Sequence, residues 1–148
     1  MKIYVLLFFS FIVSLDTSFA QEFTADTGNS ELLFDLVDIQ ILKEANDILI
    51  NESVWSKADD RKCQDDIDLN KYSLFCALYK ASIDVLGEYN HRKAALQQVR
   101  WVIDSQYKER LNGHRLMDFN NHENTNFEDV KRLLADSILI IEKEIDEN

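Results

Sequence analysis

A polar segment ahead of the last predicted helix contains the residues best suited to acid–base chemistry. His114, Asp118 and His122 follow one another at four-residue spacing. Histidine gains and loses a proton near neutral pH and a carboxylate can orient it, so these residues are candidates for the catalytic group of a small hydrolase. Asn and Asp are also usual in a loop that enters a helix, so an ordinary loop explains the same segment.

A second group of side chains offers oxygen ligands at alternate positions. Asp66, Asp68 and Asn70 match the beginning of a calcium-binding loop, in which such donors wrap a hard cation. The motif then fails, because Lys71 stands where the sharp turn needs Gly and Ala77 stands where a bidentate Glu is needed. The alternative to a calcium-stabilised structural domain is a solvated acidic loop before a helix. No motif in the sequence predicts a cofactor.

The N-terminal residues predict export. Lys2 precedes an apolar run over residues 3–13, and small residues lead to a cleavage position near Ala20, as in a secretory signal. The run is too short for a comfortable membrane span, so we expect a soluble periplasmic or secreted product with no membrane segment in its mature form. The predicted organisation is a signal peptide over 1–20, a polar leader over 21–29 and a single helical domain over 30–148.

The two cysteines are expected to form a disulfide. Cys63 and Cys76 are an even number of thiols in a chain with an export signal, and an oxidising compartment favours their pairing. The bridge would fasten an acidic loop to the helix that follows it. A free loop thiol and a small buried residue remain the alternative.

The net charge of the chain excludes some classes of binding partner. The chain has 16 basic and 27 acidic residues, a net charge of -11, so nucleic acid and anionic membranes are not expected partners. Much of the positive charge lies between residues 92 and 115, which suggests an electrically polarised molecule. Arg92, Arg100 and Arg115 are therefore candidates for binding another envelope or secreted protein.

Hydrophobic periodicity predicts an all-α fold, a small bundle of about four helices with a disulfide-stapled acidic loop. Residues 51–72 lack helical periodicity and are predicted to be a charged loop, with Trp55 as its hydrophobic anchor. Trp101, Tyr72, Phe75 and Tyr79 are interpreted mainly as core residues. The predicted helices run from Ser30 to Ile50, from Ser73 to Gly87, from Asn90 to Asn112-Gly113, and onward from a capping box of Thr125 and Glu128.

The order of several landmarks resembles a family of small bacterial all-helical domains of unknown function. The resemblance covers roughly residues 40–140 and implies a bacterial source and a helical fold. It carries no activity and no catalytic residues. The landmarks are Trp55, Cys76-Ala77-x-x-x-Ala81, Asn120-Asn121 and Thr125-x-x-Glu128-Asp129-Val130.

These observations favour a small acidic exported protein that binds a partner or serves as an accessory factor of the bacterial envelope. An enzyme requires a site that the sequence does not specify, so we expect a binding role rather than catalysis. The small hydrolase and the calcium-stabilised domain stay open as alternatives, and the oligomeric state stays open as well.

Overall fold

The computed structural model describes residues 33–148, which form six α-helices and, within that range, no strand. The predicted signal peptide and polar leader lie outside the described residues. The predicted start of the first helix at Ser30 is wrong, because that helix begins at Leu36 after an Asp35 cap. The all-α fold class is confirmed, but the predicted number of helices is too low. The helices are α1 (Leu36–Ile48), α2 (Cys63–Leu69), α3 (Leu74–Leu86), α4 (Ala94–Gln106), α5 (Arg115–Asn121) and α6 (Phe127–Glu147), with short 3-10 turns at Glu52–Val54 and Lys108–Arg110.

Two of the helices lie where the sequence predicted loops. The predicted charged loop over 51–72 contains α2, and the polar segment with His114 and His122 contains α5. Each is only seven residues long, too short to show a clear hydrophobic period, and isolated helices of this length are unstable. Both helices are therefore formed by tertiary contacts, which hydrophobic periodicity does not report.

The first and last helices begin with the same reciprocal cap. At α1 the Asp35 side chain accepts a hydrogen bond from the N–H of Asp38, whose side chain accepts one from the N–H of Asp35. At α6 the capping pair is Asn126 and Asp129, so the predicted pair of Thr125 and Glu128 is wrong by one residue. Both pairs have the three-residue spacing of a capping box, which leaves the sequence pattern ambiguous.

The two central helices, α3 and α4, differ in whether residues close in the sequence determine where they begin. Ser73 caps α3 by accepting a hydrogen bond from the N–H of Cys76, and Gly87 ends the helix in the left-handed region at φ 79°, as predicted. In contrast, α4 begins at Ala94 rather than at Asn90. Its cap comes from another helix, because the Asp38 carboxylate accepts a 2.9 Å hydrogen bond from the N–H of Ala95.

The core lies between α1, α3, α4 and α6, with α1 packed against α3 and α6, and α4 packed against α6 and α5. Phe119 of α5 is fully buried among them, and Tyr72 joins the core as expected. Trp55 packs against the core margin and so serves as the predicted anchor. The core assignment is wrong for Trp101, which is 48% exposed because it points away from the buried side of α4.

None of the helices in residues 33–148 combines the length and the apolar character that crossing a bilayer requires.

Candidate functional site

The predicted disulfide between Cys63 and Cys76 is confirmed, and it determines where the preceding segment lies. Cys63 is the first residue of α2 and Cys76 lies in the first turn of α3, with their Cα atoms 5.0 Å apart. The bridge therefore holds residues 59–63 beside the start of α3. No periodic pattern in the sequence predicts this location, so the disulfide is the feature that determines it.

Asn120 of α5 fastens the segment that contains Trp55. Its side chain is fully buried, and its Oδ1 accepts hydrogen bonds from the indole Nε1 of Trp55 at 2.9 Å and from the N–H of Leu74 at 3.0 Å. Its Nδ2 donates to the carbonyl of Ser56 at 3.0 Å. One buried amide thus joins α5, the start of α3 and the segment before α2.

The neighbouring Asn121 holds the backbone of Asp59. The Oδ1 of Asn121 accepts a 2.7 Å hydrogen bond from the N–H of Asp59, and its Nδ2 donates at 2.9 Å to the Asp59 carbonyl. Two residues later, Arg61 has a positive φ of 63°, a conformation that costs a non-glycine residue about 1 kcal/mol or more. Asn121 and the disulfide flank this strained position and maintain it.

A cavity of about 240 Å³ opens where this segment meets α4 and α5. Four of its lining side chains carry basic groups, although the chain as a whole is strongly acidic. Phe75 and the apolar Leu116 form part of the wall. The basic residues that line it are Arg61, Arg100, His114 and Arg115.

The arginines of this basic cavity keep free hydrogen-bond donors. Arg100 donates one bond to the carbonyl of His91 at 3.0 Å, and Arg115 donates through Nε to Asp104 at 2.7 Å. A guanidinium has five N–H donors, so neither side chain is saturated by these bonds. The cavity therefore presents several cationic donors that can form charge-assisted hydrogen bonds with a carboxylate or a phosphate.

Asp59 is the acidic residue of the cavity wall, and its side chain is incompletely paired. It is only 5% exposed, and one carboxylate oxygen accepts a 2.7 Å hydrogen bond from the N–H of Arg61. The other oxygen, Oδ2, is buried with no hydrogen-bond partner among the described residues. Burial raises the pKa of Asp59, and the hydrogen bond from the Arg61 N–H opposes the shift. Incompletely paired buried carboxylates are uncommon in folded proteins.

No hydrogen bond joins the side chains of the three residues considered for hydrolysis. The Oδ2 of Asp118 accepts hydrogen bonds from the N–H groups of Asn112 and His114, both at 2.7 Å, so it fixes the turn before α5. His122 lies at the other end of that helix and its Nδ1 accepts from the N–H of Asn124 at 3.2 Å. Among the described side chains, no carboxylate orients either imidazole by a hydrogen bond.

The residues considered for calcium binding lie on or directly after α2 rather than in a wrapping loop. Asp66 accepts a hydrogen bond from the N–H of Ser73, and Asp68 accepts one from the side chain of Gln64. Side chains two positions apart on a helix point to nearly opposite sides, which separates these carboxylates. Asn70 ends the helix in the left-handed conformation. Within residues 33–148 no group of three or more His, Cys, Asp or Glu side chains is arranged to hold a metal ion.

The candidates for partner binding are divided by the fold. Arg100, Arg115 and His114 share the basic cavity, whereas Arg92 lies on an exposed turn outside it. Sequence reasoning missed Arg61 and Asp59. A usable signal was present, because a disulfide at Cys63 brings the residues just before it to the start of the next helix.

The chain matches a known protein family. Residues 35–138 match the sequence model of a family described as a family of unknown function (DUF6197). The resemblance inferred from the landmarks, to a family of helical domains without a known function, is thereby confirmed. The comparisons with curated proteins and with solved structures give no significant match.

Proposed function

The chain belongs to the family of unknown function DUF6197, and from that premise we propose that it is an exported binding protein whose basic cavity recognises an acidic group on a partner protein. We further propose that it acts as an accessory factor in a bacterial envelope. The observation that carries the proposal is the convergence of three arginines and a histidine on one cavity of a chain with net charge -11.

Electrostatics supports an anionic ligand at this position. Grouping like charges is unfavourable, and an acidic chain has enough carboxylates to neutralise its arginines in ion pairs. Arg61 and Arg100 form no ion pair with the side chains that the structure describes. An incoming carboxylate would relieve the repulsion and gain charge-assisted hydrogen bonds.

The lining of the cavity favours binding over catalysis. Its side chains include basic, acidic and apolar groups, but the residues described there include no Ser, Thr or Cys nucleophile. His114 is exposed and has no orienting carboxylate, since Asp118 is engaged by backbone N–H groups. Recognition of charge requires only the donors that the cavity contains.

The proposed export rests on two independent features. The first is the basic, apolar and small-residue pattern over residues 1–20. The second is the disulfide between Cys63 and Cys76, a bond that persists mainly in oxidising compartments. A fusion of residues 1–20 to a reporter tests export directly, since a non-exporting leader would leave the reporter inside the cell.

The binding proposal is tested by affinity capture with paired variants. The full oxidised chain is compared with a cavity variant, Arg61→Gln with Arg115→Gln, against exported and envelope proteins of the source organism. The matched control is Lys108→Gln with Lys143→Gln, which removes the same charge from exposed positions outside the cavity. We expect one stoichiometric partner with the parent and the control, and its loss with the cavity variant.

Salt provides a second criterion. Charge-assisted recognition weakens as ionic strength rises, because salt screens the partly exposed arginines. A partner retained equally by the parent and the cavity variant, or retained independently of salt, would contradict recognition by this cavity.

A further inference from the structure

A second cavity adjoins the basic cavity and is mainly aromatic. It has a volume of about 220 Å³, and three aromatic side chains form its wall with Arg61, Cys63 and Gln64. Arg61 and Phe75 line both cavities. The two spaces are therefore neighbours separated by shared side chains. The aromatic residues of this second cavity are Phe75, Tyr79 and Tyr89.

The three rings form one cluster with part of its surface exposed. The centroids of Tyr79 and Tyr89 are 4.9 Å apart, and Phe75 meets Tyr89 edge-on at 6.0 Å. All three side chains are half-buried rather than enclosed in the core. Such a cluster offers ring faces and edges on which a further aromatic ring can pack.

Tyr89 and Arg100 lie near each other and provide a second link between the two cavities. Burial raises the pKa of the Tyr89 hydroxyl, and the nearby Arg100 guanidinium opposes that shift. Tyr89 lines the aromatic cavity and Arg100 lines the basic one. The cationic donors and the aromatic surface are thus adjacent.

We propose that the two cavities form a single site for an aromatic carboxylate, in which the carboxylate pairs with the arginines and the ring packs on Phe75, Tyr79 and Tyr89. This inference rests on the proposed function and specifies the partner's chemistry, namely an acidic side chain beside an aromatic one. Arg61 contributes to both parts, because a guanidinium pairs with carboxylates and also packs on aromatic faces.

Small fragments test the two parts separately. The full oxidised chain is titrated by heteronuclear NMR with acetate, with 3-phenylpropionate and with the neutral 3-phenylpropanamide. We expect 3-phenylpropionate to bind about tenfold more tightly than acetate, and more tightly than the amide, because a stacked ring and a paired carboxylate both contribute. Phenylacetate and 4-phenylbutyrate measure which spacing of ring and carboxylate suits the site.

Variants assign the effect to the residues. Tyr79→Leu is expected to reduce the advantage of 3-phenylpropionate over acetate about fivefold and to leave acetate binding unchanged. Trp101→Leu is the control, since it removes an exposed aromatic ring outside both cavities. The thermal midpoint of each variant verifies that it is folded. Arg61→Gln should weaken both fragments.

The outcomes separate the two proposals. Equal binding of acetate and 3-phenylpropionate at the arginines would overturn the aromatic part and leave the anionic cavity standing. Binding of neither acid would overturn both proposals. Binding of the amide as tightly as the acid would show that the arginines do not contribute, which also contradicts the shared site.

Discussion

Asp38 and Asp59 are both buried carboxylates, but they differ in how completely their oxygens are paired with hydrogen-bond donors. Asp38 is fully buried at the junction of α1 and α4, where it accepts hydrogen bonds from the N–H groups of Asp35 and Ala95. The ammonium of Lys93 lies 3.4 Å from its Oδ1. Asp59 accepts one backbone hydrogen bond and leaves Oδ2 buried without a partner among the described residues.

Asp129 at the start of α6 follows the first pattern. Its carboxylate accepts hydrogen bonds from the backbone N–H of Asn126 at 3.3 Å and from the Arg110 guanidinium at 2.9 Å. Arg110 in turn lies over the ring of Tyr107, with 4.7 Å between guanidinium carbon and ring centroid. Carboxylates that complete helix caps are therefore fully paired here, whereas the one at the basic cavity is not. The contrast distinguishes carboxylates whose hydrogen bonds complete helix caps from one that is buried and incompletely paired.

The largest expected effect comes from removing the hydrogen bonds of the buried Asn120 side chain. Asn120→Ala removes the acceptor of Trp55 Nε1 and of the Leu74 N–H, and it also removes the donor to Ser56. Leaving buried groups unpaired should lower the free energy of unfolding by about 4 kcal/mol, as measured by urea denaturation. The exposed Asn124→Ala is the control. A loss below about 1 kcal/mol would mean that the network does not hold this region.

Removing the disulfide should have the next largest effect. The double variant Cys63→Ala with Cys76→Ala should lose about 3 kcal/mol in stability, because a link across 13 positions restricts the unfolded chain. Fragment binding should weaken as well, since the bridge holds the segment of Arg61. Unchanged binding by a folded double variant would show that Asn121 alone positions this segment.

Asp38→Asn tests the paired side of the comparison. An amide at this position presents N–H groups toward backbone donors and loses the nearby Lys93, so we expect a loss of about 2 kcal/mol in the free energy of unfolding. Denaturant titration at neutral pH measures it. An unchanged free energy of unfolding would mean that the pairing of Asp38 does not stabilise the fold. The comparison between Asp38 and Asp59 would then fail.

Asp59→Asn tests the incompletely paired carboxylate. It should have the smallest effect on the free energy of unfolding, and it should raise stability, whereas the preceding variants lower it. The variant retains an oxygen for the Arg61 N–H and carries no charge, so it should gain up to about 1 kcal/mol at neutral pH. Because the native pKa of Asp59 is raised above 3.8, the native state holds its proton to higher pH than the unfolded state does. The parent therefore loses stability as pH rises through this window.

The variant lacks that pH dependence. Its stability advantage should be smallest below pH 3.8, should grow as pH rises and should level off above the native pKa of Asp59. Urea denaturation of both proteins across this pH range measures the difference. A constant difference at every pH would show that burial does not perturb this carboxyl group.

Local signals predicted the long elements and the covalent link. The apolar stripes identified the regions of α1, α3, α4 and α6, and Ser73 with Gly87 set both ends of α3 correctly. The chemistry of Ser at a cap and of Gly at a positive φ depends only on neighbouring residues. Two cysteines admit a single intramolecular pairing, so the disulfide could also be predicted.

Contacts between residues far apart in the sequence determined the helix boundaries and short helices that local signals did not predict. The start of α4 depends on Asp38, which lies 57 positions earlier in the chain. The α6 cap fell on Asn126 rather than on Thr125, whose hydroxyl instead accepts a hydrogen bond from Arg110. The seven-residue helices α2 and α5 depend on the same kind of contact.

By itself, the sequence determined a strongly acidic, all-helical chain with one disulfide and an excess of basic residues between positions 92 and 115. Only the tertiary structure placed Arg61 and Asp59 beside Arg100 and Arg115, and only it left Asp59 incompletely paired. The physical reason is that periodicity and capping act over a few residues, whereas a cavity is formed by side chains far apart in the chain. Where these segments meet depends on the packing of the whole core.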